Sequence, residues 1–166
     1  MTPRLEITVR KYQALDKASI VKLMDKFGDY LSSIDHMKRQ RKMSGFGRHF
    51  TEKFLKEIDR NAGVVYIAEC KGQIAGFIAG AITRQTNEDL LESIPSKSAR
   101  ILELFIDEPF RGSHIGAELM ERIEEDFRQA GCDVVRVEVF EPNINAHRFY
   151  RKLGYKDRSF DMIKRL

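Results

Sequence analysis

A glycine-bearing turn that opens a helix is the first place where residue types and spacing in this chain could do chemistry. Residues 104–117 read Leu-Phe-Ile-Asp-Glu-Pro-Phe-Arg-Gly-Ser-His-Ile-Gly-Ala. An apolar, strand-like run breaks at Asp107-Glu108-Pro109, and Arg111-Gly112-Ser113-His114-Ile115-Gly116-Ala117 then heads an amphipathic pattern. The first turn of a helix leaves backbone N–H groups without an intrahelical partner. Those donors, with the positive end of the helix dipole, form an anion site suited to a pyrophosphate. Glycine fits because a Cβ would hold phosphates away from the amides. Other phosphate loops are excluded. The chain has no G-x-x-x-x-G-K-S/T, and no G-x-G-x-x-G followed by an acid about 20 residues on.

The elements that must position this turn can be read from periodicity. Ile7 to Arg10 is a short β-branched strand. Ile20, Leu23, Met24, Phe27 and Leu31 recur at helical spacing, with Asp16 available as N-cap. A loop through Ser44 to Gly47 leads to a second helix carrying Phe50, Phe54, Leu55 and Ile58, which Gly63 can close in the left-handed conformation. Val64 to Lys71 and Ile74 to Thr83, around Gly72-Gln73, read as a hairpin buried on both faces. Arg84 to Ser98 is an exposed loop with one helical turn. Ala99 to Ile106 is a strand, and Ile115, Leu119, Ile123 and Phe127 mark a helix that Gly131 stops. Val134 to Phe140 is a strand, Asn145 to Leu153 a short helix, and Tyr155 onward a final strand. The order β-α-α-β-β-β-α-β-α-β implies an α/β sandwich on a mixed sheet.

Composition bounds the rest. The 166 residues suffice for one domain, 1–166, with its own core. A chain 42% hydrophobic and 33% charged, with four prolines, is neither disordered nor collagen-like. The longest apolar run, Ile74 to Ile82, is far short of the ~20 residues a membrane helix needs. Met1 to Glu6 shows no secretory signal. Cys70 and Cys132 make no disulfide framework and no zinc site, and they read as packed thiols of a cytoplasmic protein. The four histidines lack metal-ligand spacing, so no metal is expected. The net charge of +4 gathers in two places: Lys38, Arg39, Arg41, Lys42 and Arg48, and the stretch from Arg148 onward. A polyanionic partner is compatible with this, and a phosphate-bearing cofactor qualifies as readily as nucleic acid. No aromatic stacking platform or groove-reading helix supports nucleic acid.

On two motifs the sequence resembles the GNAT-type N-acetyltransferases. Arg111-Gly112-Ser113-His114-Ile115-Gly116 occupies their Q/R-x-x-G-x-G/A acyl-CoA loop, with His114 where the family usually has glycine. Downstream, Asn143, Ala146, Phe149, Tyr150, Gly154 and Tyr155 match N-x-x-A-x-x-F/L-Y-x-x-x-G-F/Y. The match covers about Ile101 to Tyr155, and element order alone carries it before that. The resemblance implies a mixed, mostly antiparallel sheet with a central splay and helices on both faces. It implies acetyl-CoA as co-substrate, a small-molecule or peptide amine as acceptor, and a homodimer as an unsurprising state. Free amides of Phe105 and Ile106 would hold the pantetheine arm, and those from Arg111 to Ala117 the pyrophosphate. Asn143 would bond near the pantetheine, and the Tyr150 hydroxyl would lie beside the thioester sulfur.

Acyl transfer from a thioester to an amine gives each position a reason. An alkylammonium has a pKa near 10.4, so a base must take its proton, directly or through water. The leaving thiolate belongs to a thiol of pKa about 8.5, which a phenol can protonate. The oxyanion needs an N–H donor, and a splayed strand offers one. For the base, Glu103 shares its period-2 face with Ile101 and Phe105 and is expected on the covered side of the sheet; Glu138 and a water chain are rivals. The alternative function is an acyl-CoA-binding regulatory module without turnover.

Overall fold

Two runs of β-branched, alanine and glycine residues pair first, and the rest of the sheet grows from them. In the computed structural model, which describes residues 6–166, β2 (Val64–Cys70) and β3 (Gln73–Thr83) form an antiparallel hairpin. The hairpin loop is Lys71-Gly72, both with positive φ, one residue earlier than the turn expected at Gly72-Gln73. Two left-handed residues match the right-handed twist of the flanking strands. β1 (Ile7–Lys11) adds antiparallel to β2, and β4 (Ser98–Ile106) antiparallel to β3. β5 (Val134–Val137) joins β4 in parallel, giving the order β1-β2-β3-β4-β5. The expectation of no secretory signal concerns Met1 to Leu5, which lie outside the described residues, and Glu6.

Helices cover both faces. α1 (Lys17–Ile34) and α2 (Phe46–Arg60) bury Ile20, Leu23, Met24 and Phe54 against Val65, Ile67, Phe77, Ala79 and Phe105. α4 (Ile115–Gln129) and α5 (Ile144–Lys152) cover the opposite face, where Leu119, Ile123, Phe127 and Tyr150 meet Tyr66, Ile78, Ala99 and Ile101. Burying each such large apolar side chain contributes roughly 1.5–3 kcal/mol. The expected exposed loop after β3 carries one short helix, α3 (Asp89–Glu92). Among the described residues no helix is long and apolar enough to cross a membrane.

α1 and α2 approach each other at Gly47. A Cβ there would lie 2.2 Å from the Val21 carbonyl oxygen, which is backbone and cannot step aside. Gly47 N–H also donates to Asp25 Oδ1 at 2.9 Å. Gly47→Ala is therefore expected to destabilise by about 1–3 kcal/mol, despite the better helix propensity of alanine. For a chain of this size that corresponds to a melting temperature about 2–10 °C lower. A variant that melts higher would mean that propensity outweighs the contact.

The structure corrects three expectations. Ala62 (φ 46°), not Gly63, takes the left-handed position after α2; Gly63 is required because a Cβ would come 2.7 Å from the Gly80 carbonyl. No strand follows α5. Residues 155–166 have no ladder partner, β5 ends at Val137, and Phe160, Met162 and Ile163 remain exposed. The segment is tied down instead by Asp157 to His147 (2.6 Å) and by Arg165, which donates to the Met37 carbonyl. Third, strict alternation along β4 fails. Ala79 faces Glu103 while Gly80 faces Ile101, so Leu102 is an extra residue. This bulge puts Glu103 on the Phe105 face under α1 and α2, with Ile101 on the opposite face.

Candidate active site

β5 pairs with β4 only from Ser98–Val134 to Ile101–Val137, so Leu102 to Ile106 form an open edge beside the head of α4. Backbone groups alternate in direction along a strand. Asp107 N–H donates to the Ala75 carbonyl of β3 at 2.8 Å, which turns the Ile106 backbone toward the open side. The Ile106 carbonyl indeed accepts from Arg111 Nε at 3.0 Å. By the same alternation Leu104 faces the opening, whereas the Phe105 backbone faces β3. The Phe105 amide, expected to be free, is thus turned toward β3, and the backbone that sequence reasoning did not place at the open edge is that of Leu104. Its signal was the strand alternation itself, counted from Asp107.

In the turn after β4 the amides lack backbone acceptors among the described residues, with one exception. Arg111 N–H is taken by the Glu108 carbonyl at 3.2 Å. The N–H of Glu118 closes on the His114 carbonyl at 3.1 Å, which leaves Ile115, Gly116 and Ala117 as the orphan donors of α4. Gly112, Ser113 and His114 likewise have no backbone acceptor among the described residues. The Ser113 hydroxyl donates to the Phe110 carbonyl and braces the turn. Gly112 and His114 both adopt left-handed backbone, φ 77° and 65°. For histidine that costs roughly 1–3 kcal/mol, but His is among the residues that tolerate it. The loop therefore keeps its shape with His114 in place of glycine.

Tyr150 lies on α5 with its ring between Phe149 (5.2 Å) and Tyr155 (5.6 Å), both edge to face. The ring is buried, and its hydroxyl has no hydrogen-bond partner among the described residues. Burial, then the nearby Glu103 charge, push its pKa above the ordinary tyrosine range. Tyr155 is fastened by its hydroxyl to Glu124 Oε1 at 2.6 Å.

Glu103 lies on the α1/α2 face of β4, near enough to Tyr150 for its charge to act on the phenol. Its carboxyl is pushed up to about 7 by burial, against the opposing pull of Lys53 and Arg100. Glu138, the rival base, is 84% exposed and paired with Arg100 at 2.7 Å. Asn143 is the N-cap of α5, its Oδ1 accepting from Ala146 N–H at 3.3 Å. That oxygen also accepts from Tyr30 of α1 at 3.1 Å.

An acyl-CoA fits this set of groups. Unpaired amides at a helix N-terminus suit its pyrophosphate. An open strand edge suits its amide-bearing arm, and a buried phenol lies on the same face of the sheet as α4.

The chain belongs to the Acetyltransferase (GNAT) family, whose profile matches residues 31–155. Acetyltransferases of this family use acetyl-CoA as co-substrate and act on amines. An uncharacterised N-acetyltransferase of Methanocaldococcus jannaschii is 32% identical over 94 residues, 56% of this chain and 53% of that protein. An aminoalkylphosphonate N-acetyltransferase of Salmonella typhimurium is 39% identical over 66 residues, 40% of this chain and 43% of that protein. The chain spans about half the length of the curated relatives it matches. The crystal structure of glucosamine-6-phosphate N-acetyltransferase from Arabidopsis thaliana superposes with a TM-score of 0.67 at 19% identity, over 96% of this chain and 98% of that one. That likeness is one of fold.

Proposed function

We propose that this chain is a single N-acetyltransferase domain that moves an acetyl group from acetyl-CoA to the primary amine of a small molecule or peptide by direct attack. The observation that carries the proposal is the convergence of a carboxyl tuned to about 7 and a buried phenol on one opening, beside the amide-lined head of α4. Bound acetyl-CoA would supply the activated acyl group. Ile106 and Leu104 offer backbone groups to its pantetheine arm, and Gly112 to Ala117 offer amides to its pyrophosphate. Glu103 takes the proton of the incoming ammonium, and Tyr150 donates to the sulfur. The two residues are coupled, since the Glu103 charge is one cause of the raised Tyr150 pKa. When Glu103 gains a proton, that cause disappears and Tyr150 becomes the stronger acid. The relatives' names support an amine acceptor and span aminoalkylphosphonates and an amino-sugar phosphate.

The test is a thermal shift with acetyl-CoA, CoA and ATP. A ligand at about 100 times its Kd stabilises a fold by roughly 2.7 kcal/mol, about 5–10 °C for a chain of this size. Both CoA species are expected to shift the wild type and ATP is not. Gly116→Asp adds a charge among the loop amides, and its Cβ would sit 3.2 Å from Phe149 Cζ. It is expected to lose the shift while still melting cooperatively alone. No shift of the wild type with either CoA species would overturn the acyl-CoA site.

A further inference from the structure

Tyr30 lies on α1, across the opening from α5, and belongs to neither sequence motif. Its hydroxyl donates to Asn143 Oδ1 at 3.1 Å, and its ring lies under the Arg111 guanidinium at 5.2 Å. We propose, resting on the acyl-CoA site described above, that Tyr30 is a positioning residue that fixes Asn143 as a hydrogen-bond donor toward the pantetheine arm.

The chemistry of the carboxamide carries this. Asn143 has one oxygen with two lone pairs and one nitrogen with two N–H donors. Ala146 N–H can only donate, so the atom facing it must be Oδ1. Tyr30 occupies the second lone pair of that oxygen. Both acceptor positions are therefore used, and Nδ2 has no partner among the described residues. Asn143 can meet a ligand only as a donor, and the complementary group is a carbonyl oxygen such as a pantetheine amide presents. At 3.3 Å the Ala146 bond is the longer of the two, so Tyr30 supplies the better of the contacts that prevent the amide from turning over.

Two substitutions test the assignment. Tyr30→Phe keeps the ring under Arg111 and removes only the hydroxyl donor. Asn143→Asp keeps an oxygen for both Ala146 and Tyr30 but replaces the free donor by an acceptor. A carboxylate at a helix N-terminus is favourable, so this variant is not expected to melt lower. Kd for acetyl-CoA is measured by calorimetry, with KM and kcat in a thiol-release assay. Tyr30→Phe is expected to raise Kd about 3- to 10-fold, the effect of one hydrogen bond, with KM for acetyl-CoA rising by a larger factor than kcat falls. Asn143→Asp is expected to raise Kd at least as much. The double variant is expected to match Asn143→Asp alone, because Tyr30 then has no donor left to aim. Additive losses, or an unchanged Kd in Tyr30→Phe, would overturn the positioning role while leaving the acyl-CoA site standing. A wild type that binds no acetyl-CoA would overturn both.

Discussion

Tyr150→Phe is expected to lower kcat about 100-fold while leaving acetyl-CoA affinity within about threefold of wild type. The ring is what packs between Phe149 and Tyr155, and phenylalanine keeps it, so the loss is confined to one hydroxyl. Positioned proton donors contribute about 10²- to 10⁴-fold. The hydroxyl is held protonated by burial and by the charge of Glu103, and no group among the described residues competes for its proton. It is therefore a committed donor at neutral pH, and it gains strength once Glu103 has been neutralised. Turnover in single-turnover thiol release, with affinity from calorimetry, separates the two effects. Wild-type turnover in this variant would remove Tyr150 from the chemistry.

Glu103→Gln is expected to cost about 100-fold in kcat/KM at pH 8 and to abolish the acidic limb of the pH profile. With a carboxyl pKa of about 7, the wild type should lie about tenfold below its plateau at pH 6, because a base must be deprotonated to work. Stability should move the opposite way. The folded-state pKa of about 7 lies above the ordinary 4.5, so the folded protein holds this proton more tightly than the unfolded chain. The stabilisation that comes from protonation is complete below about pH 4.5 and is lost as pH rises to about 7. Glutamine, which cannot ionise, is thus expected to melt higher than the wild type at pH 8, and that advantage should shrink toward pH 5. A limb that persists in Glu103→Gln would assign the base to another group or to water.

The two predictions draw on different levels of the molecule. Tyr150 is legible as a candidate through the resemblance to the acetyltransferase motif, which Asn143, Ala146, Phe149, Gly154 and Tyr155 match around it in sequence. The amide-rich turn is equally local: a strand end, glycines and a helix head lie within 104–117. Both faces of the sheet are also visible in the unbroken apolar runs of β2 and β3, because a doubly covered strand has no polar face to show.

What the chain alone determined is therefore the set of local pieces: the element order as far as the last helix, the hairpin, the helix head with its orphan amides, and the tyrosine on that helix. Each follows from residues within one or two turns of one another, where periodicity and backbone sterics act. Only the tertiary structure decided how those pieces meet. The register shift opposite Gly80 turned Glu103 away from the Ile101 face, and burial there raised its pKa to about 7. Strand pairing committed the Phe105 backbone to β3 and left Leu104 and Ile106 at the open edge. Residues 155–166 lie outside the sheet, held instead by Asp157 to His147 and by Arg165 to the Met37 carbonyl. The contact of Tyr30 with Asn143 spans 113 positions of sequence and exists only because α1 crosses the opening to reach α5. Hydrogen-bond pairing, burial and charge neighbours are set by distances in space, and no local pattern of residue types encodes them.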